Sequence, residues 1–135
     1  MNGRALPSDS KEMNAIITYY QWISKGLPIY ANIPWFGLKH IQSTHQPNPT
    51  EGREVYGQKC APCHGGNGEG TQIGPPLWGK HSFNDGAGMA ELAQLSAFAH
   101  EFMPLGNPNL SDEEALDLAA FVIRQPRPHF VSKRR

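Results

Sequence analysis

The chain carries no net charge, because 12 Lys and Arg balance 12 Asp and Glu over 135 residues. No broad field of one sign therefore exists to draw it to nucleic acid or to an anionic membrane surface. The basic tip Lys133-Arg134-Arg135 reads as a solvated terminus rather than a docking patch. No apolar run approaches the ~20 residues that a membrane span needs. Alternation of apolar and polar residues long enough for a sheet is also missing, as is any internal repeat. Apolar residues make up only 39%, whereas 14 Gly and 12 Pro are plentiful. That mixture predicts an all-α class of short helices and long irregular loops, a small domain that needs an internal scaffold. Cysteine is nearly absent, with two in the whole chain. A zinc ribbon needs a second Cys-x-x-Cys, and there is none.

What the chain does have is concentrated around those two cysteines, in Cys60-Ala61-Pro62-Cys63-His64. Cys-x-x-Cys-His is the attachment signature of c-type haem. Two thiols separated by one turn of backbone can add to the two vinyl groups of a porphyrin. The adjacent His64 then lies under the iron as proximal ligand. A thioredoxin-type dithiol would follow a strand and open a helix. Here the motif runs instead into Gly65-Gly66-Asn67-Gly68-Glu69-Gly70. A plain disulfide would leave His64 without a reason. One covalent haem c is therefore the expected cofactor. Such attachment takes place outside the bacterial cytoplasm, so a periplasmic location is expected. Met1 to Pro7 contains no apolar signal core, and the chain is expected to be a piece of something longer.

Helix signals flank the motif. Met13, Ile16, Ile17, Tyr20 and Ile23 share one helical face between Ser10 and Ser24, with Asp9 the expected N-cap and Gly26 and Pro28 the stop. Residues 27–49 carry four prolines with Ile29, Tyr30, Ile33, Trp35, Phe36 and Leu38, which predicts an extended linker wrapped over something. A short helix is expected from Thr50, its N-cap, through Val55 and Tyr56 into the motif. Another is expected from Gly88 to Glu101, broken at Pro104. Ser111-x-x-Glu114 is a capping box for a last helix that ends before Pro126.

An electron carrier ordinarily has a second protein ligand on its iron. Met103 is favoured, because Pro104 stops the backbone beside it and holds the thioether in place. Met89, on the apolar side of its helix, and His100, a turn before Met103, remain alternatives. Met13 reads as core. His81 is placed to reach a propionate or solvent, while His40, His45 and His129 sit in proline-flanked loops with no specific task expected.

Taken together, the Cys60 to His64 motif, Gly74-Pro75-Pro76-Leu77, Met103-Pro104 and the capped final helix resemble a class I cytochrome c domain over roughly Thr50 to Arg127. The resemblance implies His64 and Met103 as axial ligands, and Pro75 as acceptor for the Nδ1 hydrogen of His64. It also implies Leu77 against the ring, and Gly52 and Tyr56 packed on Leu118 and Phe121. Over the whole chain, Asn2 to Pro7, Glu12-Met13, Trp22 to Gly26, Pro75 to Gly79, Ser82 to Met89, Met103 to Gly106 and Gln125 to Pro128 are similar to the C-terminal half of dihaem thiosulfate dehydrogenases. Members of that family join two thiosulfates into tetrathionate, or run the reverse, at a first haem bearing a cysteine ligand. This chain has neither a first haem motif nor a third cysteine. Some members place a lysine before the ligand methionine, where Phe102 stands here and cannot ligate.

The expected organisation is an N-terminal helix and linker at 1–48, a cytochrome c domain at 49–130 and a basic tail at 131–135. The expected function is monohaem electron transfer in periplasmic sulfur-compound oxidation, with no catalytic residue of its own. Its expected partner is a redox protein or a preceding haem domain. The alternative is a part of a thiosulfate dehydrogenase or tetrathionate reductase whose substrate-binding haem domain lies outside this chain. A further rival is a haem sensor or peroxidase-like protein with an open distal site.

Overall fold

The structure is a computed structural model, and it describes residues 5–26 and 37–131. The chain divides into two compact units, Met1–Phe36 and Gly37–Arg135. The apolar stretch from Ile29 to Phe36 and the tip Lys133-Arg134-Arg135 lie outside the described residues.

The first unit contributes helix α1, Lys11–Ile23. Its N-cap is Ser10 rather than the expected Asp9, with Ser10 Oγ accepting from Met13 N at 3.1 Å. Ser10 has the extended backbone of a cap (φ −68°, ψ 154°), which aims its hydroxyl at the first free N–H groups. Ser24 Oγ donates back to Tyr20 O at 2.7 Å, and Gly26 turns the chain at φ +85°. None of the residues of α1 is buried.

Among its described residues the second unit has four α-helices, a π-helical turn and a 3₁₀ turn. Helix α2 spans Pro49–Val55, a π-helical turn covers Tyr56–Cys60, and α3 is Ala61–His64. Asn48, not Thr50, caps α2, its Oδ1 accepting from Thr50 N at 3.0 Å. Pro49 suits the first helical position because its missing N–H would have had no partner there. A 3₁₀ turn at Gly88–Ala90 precedes α4, Leu92–Phe102. The expected single helix from Gly88 is thus split, since Glu91 is extended (φ −89°, ψ 131°). Helix α5 is Asp112–Ile123. Its capping box is formed, with Glu114 N donating to Ser111 Oγ at 3.1 Å and Ser111 N to Glu114 Oε2 at 2.9 Å.

Helices α2 and α5 cross with backbones in contact at Gly52, where any Cβ would run into the carbonyl of Asp117. Leu95 and Ala99 of α4 join Leu118, Ala119 and Val122 of α5 in the core, with Tyr56 beside them. Tyr56, Trp78 and Phe121 form an aromatic cluster, with ring centroids 4.9 to 5.7 Å apart. Residues 37–48 belong to this unit. Asp117, only 6% exposed, accepts from Asn48 N at 2.6 Å and from His45 Nε2 at 2.7 Å. His45 and His129 therefore do have tasks, against expectation. The second pairs with Asp85 Oδ2 at 2.6 Å, and Phe130 N donates to Asp85 Oδ1 at 2.6 Å.

Candidate functional site

The π-helical turn widens the backbone just before the motif. It leaves Cys60 buried in the core while Cys63, on α3, is exposed. Gly65 then reverses the chain at φ +85°. The loop that follows is tied back onto the motif. Gly70 N donates to His64 O at 2.8 Å, Thr71 Oγ1 to Cys63 O at 2.6 Å and Tyr56 OH to Gly65 O at 2.5 Å. A Cβ at Gly74 would strike Cys63 O and come within 3.1 Å of His64 Nδ1, so only glycine lets the loop close this far. That closure brings the carbonyl of Pro75 to 2.8 Å from His64 Nδ1. With Nδ1–H donating there, Nε2 is the ring nitrogen left to act as a ligand.

A cavity of about 680 Å³ opens beside this turn. Cys60, Cys63 and His64 line it together with Pro75 and Leu77. Met89, Leu95 and Met103 come from the 3₁₀ turn, α4 and its C-terminal end, and Leu118 and Val122 from α5. All six residues expected at the site, Cys60, Cys63, His64, Pro75, Leu77 and Met103, thus border one space. Met89 borders it as well, as does His81. His100 is directed away, its Nε2 lying 3.3 Å from Asp112 Oδ1. Met103 is extended (φ −120°, ψ 145°), the backbone that a following proline favours.

Burial pushes the Cys60 thiol up to about 11, a rise that Lys59 opposes, so at neutral pH it is the uncharged thiol. Desolvation likewise pushes the Tyr56 hydroxyl up to about 12. Lys59, also at the cavity, is held by Glu114 Oε1 at 2.8 Å and Asn109 O at 3.2 Å. This pair, Thr71 and Arg127 escape sequence reading. Their partners are backbone carbonyls or lie some 50 residues distant, and no local spacing marks them.

The volume lies within the roughly 300 to 1,000 Å³ of cofactor pockets. Two thiols from one turn, an imidazole pinned at one nitrogen and a thioether in an otherwise apolar wall are the donor set of a c-type haem. Fold and site together define a cytochrome c domain. The chain belongs to the class I-like cytochrome c family described as Cytochrome C oxidase, cbb3-type, subunit III, which matches residues 47–122. Membership implies that the cavity binds haem c.

Among relatives, it is 40% identical to the thiosulfate dehydrogenase of Allochromatium vinosum, over 96% of this chain and 51% of that protein. It is 40% identical to the thiosulfate dehydrogenase of Thiomonas intermedia, over 94% of this chain and 43% of that one. The chain therefore spans about half the length of these relatives. The solved structure of thiosulfate dehydrogenase (TsdBA) from Marichromatium purpuratum superposes with a TM-score of 0.80 at 32% identity, covering 93% of this chain and 28% of that one. The domain is thus an electron-transfer cytochrome related to thiosulfate dehydrogenase. No described helix is long and apolar enough to cross a membrane.

Proposed function

We propose that the chain binds a single haem c covalently through Cys60 and Cys63, with His64 and Met103 as axial ligands. In this reading it carries electrons in periplasmic sulfur-compound oxidation. The observation that carries the proposal is the convergence of both cysteines, His64 and Met103 on one cavity, with His64 Nδ1 bonded to Pro75 O at 2.8 Å. Haem c, when bound, supplies one-electron redox chemistry.

The chain's own residues do the rest. Cys60 and Cys63 hold the ring through thioether bonds, and Leu77, Leu95 and Val122 exclude water from it. Pro75 fixes the tautomer and the ring orientation of His64. A rigid pocket that keeps both axial groups in place in either oxidation state suits electron transfer, since little has to rearrange. Ile73 and Leu105, 74% and 84% exposed, border the cavity and present an apolar rim to a redox partner.

A second reading is supported by the relatives' greater length. There the domain is the electron exit of a thiosulfate dehydrogenase, and thiosulfate reacts in a portion this chain does not include. Two assays decide. A pyridine haemochrome spectrum of matured protein is expected to show thioether-linked haem, and its absence would overturn the attachment. Purified chain mixed with thiosulfate and an electron acceptor is expected to give no turnover. Turnover by the chain alone would overturn the carrier reading.

A further inference from the structure

Arg127 has an unusual environment for a cation. Its Nη2 donates to Val122 O at 2.6 Å and its Nη1 to Leu77 O at 3.4 Å, both backbone carbonyls. The guanidinium lies over the ring of Phe83, 4.3 Å from its centroid. Arg127 Nε is buried with no hydrogen-bond partner. Among the described residues, no carboxylate forms a salt bridge with Arg127. A half-buried charge satisfied only by carbonyls and a ring costs stability, and an unpaired buried N–H adds to that cost.

Its neighbours explain where the charge acts. Leu77, Phe83 and Val122 all line the cavity, so the guanidinium stands directly behind the wall. The other cation at the cavity, Lys59, is neutralised by Glu114 at 2.8 Å. The carboxylate whose charge bears on Arg127 is Asp85, which is exposed and already committed to His129 and Phe130 N. A charge held behind an apolar wall is screened far less than one on the surface.

We propose that Arg127 is a positioning residue that sets the reduction potential of the centre held in this cavity, as a fixed positive charge clamped behind Leu77, Phe83 and Val122. Adding an electron makes the cavity contents more negative by one unit, and a nearby cation favours that state. Arg127 therefore raises the potential. The proposal rests on the haem reading above.

Equilibrium redox titration of matured protein tests it, after a haemochrome spectrum has verified equal haem content in every variant. Arg127→Gln is expected to lower the midpoint potential while leaving the ligand bands of the ferric spectrum in place. Arg127→Lys keeps the charge and is expected to stay near wild type. The Gln difference is expected to persist from low to high salt, as for a charge shielded from solvent. A wild-type potential in Arg127→Gln, equal falls in the Gln and Lys variants, or a difference that vanishes in high salt would each overturn the proposal. Should Arg127→Gln fail to mature, Arg127→Met supplies the neutral comparison and is expected to lower the potential. An unchanged or higher value there overturns it. Wild-type protein without haem would instead defeat the haem reading itself, and this proposal with it.

Discussion

The thioethers of Met89 and Met103 border the same cavity as the imidazole of His64, so the choice of second ligand between them comes down to one side chain. Pro104 holds Met103 in extended backbone at the end of α4, whereas Met89 sits in a single 3₁₀ turn. Met103→Ala is expected to abolish the weak far-red sulfur-to-iron band of the ferric protein and to lower its potential, while Met89→Ala keeps both. Survival of the band in Met103→Ala would transfer the ligand role to Met89. Glu114 yields a second expectation. Hydrogen bonding to Lys59, and then to Ser111 N, holds its carboxyl below the ordinary 4.5. A depressed folded value means that this stabilisation is complete above the unfolded pKa and fades as pH falls from there through the folded one. Urea unfolding of the wild type is expected to weaken across that acid window, and Glu114→Gln to flatten that part of the profile. Identical profiles would show that the Lys59 pair contributes nothing.

At the level of elements, the crossing of α2 over α5 depends on Gly52 having no side chain. Gly52→Ala forces the two backbones apart and is expected to cost about 1 to 3 kcal/mol, or more if the helices cannot shift, read as a lower urea midpoint. Unchanged stability would mean that the crossing is not tight. Helix signals written in adjacent residues were legible: the Ser111 to Glu114 box forms as its spacing implies, and Pro104 ends α4. The first two N-caps were displaced, by one residue to Ser10 and by two to Asn48. In each case several cap-competent residues stand close together, and the backbone angle, which sequence does not show, selects one. The π-helical turn has no residue signature. His45 was invisible as a strap because its partner Asp117 lies 72 residues away, joined only by folding.

For the whole molecule, the core of the second unit is lean, with much of it made from Ala and from residues that also wall the cavity. A group filling that space completes the packing, so matured protein is expected to melt well above protein expressed without haem. Equal melting temperatures by circular dichroism would contradict a structural role for the cofactor. The site was readable because its donors sit in one pentapeptide and two proline-marked loops, whereas its electrostatics were not. Arg127 spends its hydrogen bonds on carbonyls, and carbonyls are the same at every position in a chain. The closing segment adds one practical consequence. Gly79 N donates to Pro126 O, and Asp85 N to Pro128 O, so residues 126–130 act as a cord lashing the loop that carries Phe83. Fusing a purification handle in place of that cord would loosen the rim, whereas a handle joined beyond Val131 leaves every knot tied.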